Sequence, residues 1–144
     1  AFFPLVRSHF CRGPTARAAV TGPQDDVAVA VASYEERRDA AVALLARRGV
    51  PCVRPAGAFY LMVDVSAATT DSEAFALRLL EECDVAVSPG SAFGAAGEGM
   101  VRVSLAAERG ALLEGLDRVA DLVGAWGDVT VPGAVADAAA RAGL

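Results

Sequence analysis

The chain has 144 residues, 54% of them hydrophobic, and a formal net charge of −5, which suits a single domain long enough to bury a core. All 13 basic residues are arginine, no lysine occurs, and the basic residues form no cluster, which excludes the concentrated positive charge that nucleic acid requires. No apolar run approaches the ~18 residues of a membrane span and no charged leader precedes one, so a cytoplasmic chain without a membrane partner is expected.

Residues 1–20 show no clean period and read as a divergent remnant or linker, the tail of something longer. From Gln24 to Arg48 the residues Val27, Val31, Tyr34, Ala41, Leu44 and Leu45 fall at helical spacing. Pro23, Asp25 and Asp26 stand at the start of this helix, and Arg47-Arg48 and Gly49 at its end. Its EERRD face, Glu35 to Asp39, reads as a solvated charge ladder. Two short strands are predicted over Cys52–Arg54 and Ala58–Val63, separated by Pro55-Ala56-Gly57. A second helix follows in TTDSEAFALRLLEEC, opened by a Thr70-x-x-Glu73 capping box, with Phe75, Leu79, Leu80 and Cys83 on one face.

Val85-Ala86-Val87 and Met100–Ser104 are β-branched runs either side of a small-residue loop, and a third helix is predicted from Glu108 to Val123. Residues 126–144 read as a loosely packed Ala/Gly-rich tail, which leaves 21–125 as the domain proper. The order of elements predicts an α/β two-layer sandwich, a roughly four-stranded sheet with helices mainly on one face.

Few residues carry chemistry. Cys11, Cys52 and Cys83 are widely spaced without a C-x-x-C pair, and His9 is the single histidine, so no disulfide framework, metal site or catalytic pair is indicated; free thiols in a reducing compartment are expected. The loop SPGSAFGAAGEG lacks the Gly-Lys-Ser/Thr ending of a P-loop and leads into a strand instead of a helix. Asp64 and Glu98 read as turn or surface residues. Arg102 alternates with Val101 and Val103, so it faces away from whatever layer the valines pack on. A water-facing edge arginine and a ligand-binding group are both open at this point.

Three stretches, PAGAFYLMVDVS, VAVSPGSAFG and the arginine beyond that loop followed by SLA, occur in the order and spacing found in one family. From about Thr21 to Val123 the chain resembles the C-terminal small domain of fold-type I pyridoxal-phosphate-dependent aminotransferases, class I/II, the aspartate aminotransferase family. The resemblance implies that Arg102 binds the substrate α-carboxylate, and that Phe59 and Tyr60 line the substrate entrance; Phe93 packs near the site or anchors its loop. It also implies pyridoxal phosphate, amino-acid and 2-oxo-acid substrates, a large partner domain and a homodimer in the intact enzyme. The cofactor of that family is held by a lysine, and these residues offer no lysine, so the resemblance implies no catalytic residue here and no activity for the chain alone. The alternative is a free-standing small-molecule-binding or protein-interaction module that keeps the sandwich without the chemistry.

Overall fold

In the computed structural model, which describes residues 14–126, a helix not expected from the sequence comes first: α1, Pro14–Thr21. Its end is tied by polar contacts, the Thr21 hydroxyl donating to the Arg17 carbonyl at 2.9 Å and the Gln24 amide donating to the carbonyls of Ala19 and Gly22 at 3.1 and 2.9 Å. Cys11, His9 and the tail from residue 127 lie outside the described residues. The chain divides into two compact units, Ala1–Ser33 and Tyr34–Leu144, with the boundary inside the long helix α2, Asp25–Arg48.

The expected apolar stripe of α2 is only half used. Val27 and Val31 are exposed, whereas Ala41, Leu44 and Leu45 are buried in the core of the second unit. Gly49 ends the helix in the left-handed region (φ 72°), where glycine carries no Cβ penalty, and Val50 then donates back to the Leu45 carbonyl at 3.0 Å. The EERRD face does more than meet solvent. Arg37 donates to the Leu105 carbonyl at 3.2 Å, and Asp39 accepts from both Arg38 (2.8 Å) and Arg54 (2.7 Å). Exposed pairs of this kind are screened by water and add little to stability.

The sheet has four strands: β1 (Cys52–Val53), β2 (Tyr60–Asp64), β3 (Ser88–Pro89) and β4 (Met100–Ser104), in the order β1-β2-β4-β3 and antiparallel throughout. Pairing aligns Cys52, Val63, Val101 and Pro89 in one row across it and Val53, Met62, Arg102 and Ser88 in the next. Because side chains alternate along a strand, these rows point to opposite faces. Leu61, Val63, Val101 and Val103 are buried in one cluster with α2 and with α3 (Ser72–Cys83) and α4 (Arg109–Ala125). Each fully buried Leu, Val or Phe contributes roughly 1.5–3 kcal/mol of burial. The expected α/β sandwich with helices on one face is the fold observed.

Two local expectations are corrected. The cap of α3 is Asp71, whose carboxylate accepts from the Ala74 amide at 2.9 Å, and not Thr70. Val85–Val87 is not a strand: α3 ends at Asp84 in a left-handed turn, and the chain runs clear of β4 until Ser88 pairs with Arg102. The gap left beside Val103 is a cleft of about 150 Å³ lined by Val85, Val87, Leu112 and Leu116 among others. Trp126, placed with the tail by the sequence reading, stacks on the buried Phe75 ring at 5.3 Å and so closes the core.

Candidate functional site

Arg102 stands on a central strand, on the sheet face opposite the core that α3, α4 and residues 41–45 of α2 help form. Burial of Val101 and Val103 on the inner face turns it there, as the alternation predicts. Met62 and Ser88 flank it across the strands, and its Nη2 donates to the Ser88 hydroxyl at 3.2 Å. Its guanidinium carbon lies over the Tyr60 ring at 5.5 Å from the centroid and over the Phe93 ring at 4.8 Å. Among the described residues no carboxylate is within ion-pair distance of it. A planar cation with unused donors, held among aromatic rings, is chemically suited to a carboxylate.

The structure brings Tyr60 to Arg102 and sets Phe59 one ring further out, edge-on to Tyr60 at 5.8 Å and 83°. Both are exposed, at 53% for Phe59 and 36% for Tyr60, so neither serves as a core residue of the strand. Ala58, predicted as strand, has φ 67° and turns the chain so that pairing begins only at Tyr60.

Phe93 reaches the arginine because its loop is folded back on itself. Two 3₁₀ turns, Gly90–Phe93 and Ala95–Gly97, bring the backbones of Gly90 and Gly97 so close that a Cβ on either would lie about 2 Å from the other's carbonyl oxygen. The turn is clasped by Ser72, which is fully buried at the start of α3. Its hydroxyl donates to Glu98 Oε2 at 3.2 Å and accepts from the Ser91 amide at 3.1 Å, while the Ser72 amide faces the same carboxylate oxygen at 3.4 Å. Glu98 therefore sits at a helix N-terminus, where negative charge is favoured. Glu98 is an exposed loop residue, as the sequence predicts, but its tie to Ser72, and the roles of Ser72 and Ser88, are not visible in the sequence. No spacing links Ser72 to residues 91 and 98, and only the pairing of β3 with β4 puts Ser88 beside Arg102.

Asp64 lies on the same face, two residues along β2 from Met62, and its carboxylate accepts from the Ser66 amide at 2.9 Å. Glu108 caps α4, accepting from Gly110 and Ala111, and these amides hold its carboxyl below the usual range. Cys52 and Cys83 are free thiols pushed up by burial. Among the described residues no group of three or more potential metal ligands occurs, and no helix is long and apolar enough to cross a membrane.

The residue pattern that defines aminotransferase class I and II matches residues 8–119. The chain belongs to that family. It is 40% identical over 101 residues to a probable N-acetyl-LL-diaminopimelate aminotransferase of Bacillus subtilis, covering 70% of this chain and 26% of that protein. To the aspartate aminotransferase of Pyrococcus abyssi it is 43% identical over 86 residues, 60% of this chain and 22% of that one. Among solved structures, an aromatic aminotransferase from Pyrococcus horikoshii superimposes with a TM-score of 0.67 at 35% identity, covering 80% of this chain and 31% of that chain. An aspartate aminotransferase from Thermus thermophilus with maleate gives 0.62 at 39% identity, covering 69% and 25%. The chain spans about a quarter of the length of the curated relatives it matches.

Membership of this aminotransferase family implies dependence on pyridoxal phosphate. The residues present do not fit that group's attachment. A Schiff base needs a primary amine, and the 144 residues include no lysine, while the donors on the sheet face are a guanidinium and a hydroxyl. No chemical step through the cofactor is assigned to these residues.

Proposed function

We propose that this chain is the small domain of an aminotransferase and that its contribution to amino-group transfer is to take the α-carboxylate of an amino acid or 2-oxo acid on Arg102. The observation that carries this reading is the Arg102 guanidinium itself: on the face opposite the core, oriented by Ser88, Tyr60 and Phe93, and ion-paired to no carboxylate among the described residues. The Thermus relative with maleate, a dicarboxylate, is consistent with that ligand chemistry.

Two parallel N–H···O bonds from a guanidinium fix both the position and the plane of a carboxylate. Holding that end of the substrate aims its Cα and amino group at the reacting centre, which is the entropic part of catalysis that a binding domain can supply. In this reading the amine that carries the cofactor comes from a large domain, the working enzyme is a homodimer, and the chain alone does not catalyse.

The test is Arg102→Lys in the chain joined to a class I/II large domain. Lysine keeps the charge and loses the fork, so one charge-assisted bond, worth roughly 1.5–3 kcal/mol, goes missing. The expected result is a kcat/KM lower by about 10- to 150-fold for amino acids, with cofactor absorbance unchanged. Unaltered kinetics across several amino acids would remove Arg102 from the site.

A further inference from the structure

We infer that Phe93 is a positioning residue for Arg102, held in place by the Ser72–Glu98 clasp; the inference rests on the carboxylate reading of that arginine and names what orients it. An arginine side chain has several rotatable bonds and loses much rotamer freedom when it is fixed for bidentate binding. A side chain already held in the right plane loses less on meeting its ligand. The Ser88 hydroxyl, at 3.2 Å from Nη2, restrains one nitrogen of the guanidinium. It does not restrain rotation of the group's plane about that contact. The rings do, because a guanidinium over an aromatic face is favoured by the ring quadrupole. Of the two rings, Phe93 is the nearer, 4.8 Å against 5.5 Å for Tyr60.

Phe93 is not placed by burial, since it is 55% exposed. Its position follows from the backbone of its loop. The crossing of Gly90 and Gly97 closes the turn, the Ser91 amide donates to the buried Ser72 hydroxyl, and the same hydroxyl donates to Glu98 at the far end of the loop. Gly99 completes the tie by donating to the Thr70 carbonyl at 2.9 Å. The start of α3 thus grips both ends of the segment that presents the Phe93 ring, and an exposed loop aromatic becomes a fixed wall for a strand arginine.

The experiment uses the whole 144-residue chain labelled with ¹⁵N-arginine. The Arg102 Nε–Hε signal is followed by NMR relaxation and during titration with pyruvate, the smallest 2-oxo acid. In the native chain the signal is ordered and shifted by the rings, and it moves with pyruvate. Phe93→Leu lowers its order, removes most of the ring shift and weakens pyruvate by roughly two- to fivefold, the loss expected of one exposed cation–ring contact. Phe93→Tyr, which keeps a ring, restores all three. Because Phe93 is mostly exposed, leucine there opens no core cavity. Ser72→Ala, which leaves the ring in the sequence but removes the clasp, also lowers the order of Arg102. An Arg102 signal and pyruvate affinity in Phe93→Leu equal to those of the native chain would overturn the inference while leaving the carboxylate reading intact, and an unchanged signal in Ser72→Ala would overturn the clasp. A native Arg102 signal that ignores pyruvate would count against the carboxylate reading, and the order measured in Phe93→Leu would still decide whether the ring holds the guanidinium.

Discussion

Gly90→Ala tests the tightness of the loop crossing. A Cβ at Gly90 would stand 1.9 Å from the Gly97 carbonyl oxygen, 2.6 Å from that of Met100 and 2.8 Å from the Gly97 carbonyl carbon. All three are backbone atoms, so no side chain can swing aside, and the crossing must open by about 1.5 Å to restore ordinary contact. Both neighbours resist: Pro89 is paired with Val101 in the sheet, and the Ser91 amide is bonded to Ser72. Overpacking against fixed atoms costs about 1–3 kcal/mol. Losing the bond to a buried hydroxyl adds ~0.5–1.5 kcal/mol, giving about 1.5–4.5 kcal/mol together. For a chain of this size about 4 °C of Tm accompanies each kcal/mol, so a drop of about 6–18 °C is expected. Thermal unfolding followed by circular dichroism measures it. The control is Gly57→Ala, where nothing lies within 4 Å of the added carbon and φ is not positive. A Gly90→Ala midpoint no lower than that control would show that the loop opens without cost, and the account of how Phe93 is held would fail with it.

Gly115 lies within α4, where an added Cβ would meet only a Val85 methyl at an ordinary 3.6 Å, so Gly115→Ala should stabilise the chain by about 0.5–1 kcal/mol through helix propensity, read as a raised urea midpoint with unchanged m-value. A lowered midpoint would mean that the Val85 contact is tighter than it looks. Glu108 has a folded-state pKa held below its unfolded value by the Gly110 and Ala111 amides, so its stabilisation is present above the unfolded pKa and is lost as pH falls through the folded one. Glu108→Gln should therefore be less stable than the native chain at neutral pH, and the two should converge on acidification. A difference that stays constant with pH would show that ionisation of this cap does not matter.

Several features were legible in the sequence because they depend on local periodicity. The strand over Met100–Ser104 and the turning of Arg102 away from Val101 and Val103 follow from alternation alone. The helices at Asp25–Arg48, Ser72–Cys83 and Arg109–Ala125 follow from the 3.6-residue spacing of residues such as Leu44, Leu45, Phe75, Leu79, Leu112 and Leu116. The family was also readable, since three short motifs in fixed order are more specific than any one of them. What failed was whatever required knowing the partner of a segment. Val85–Val87 has the composition of a strand, yet the turn at Asp84 sends it clear of β4, and a strand without a partner is not one. Val27 and Val31 keep helical spacing but remain exposed. α1 is eight residues long, little more than two turns, so its helical period barely repeats.

The surroundings of Arg102 belong to the same class. The sequence determined that an arginine would project from the face opposite the valines. Only the tertiary structure decided that Ser88, Tyr60 and Phe93, drawn from three other segments, would meet it there, and that Ser72 would reach across to residues 91 and 98 to hold the loop. The physical reason is that direction along a strand is set by the chain itself, residue by residue. What stands opposite is set by strand pairing and loop closure between residues far apart in sequence, which no local pattern records.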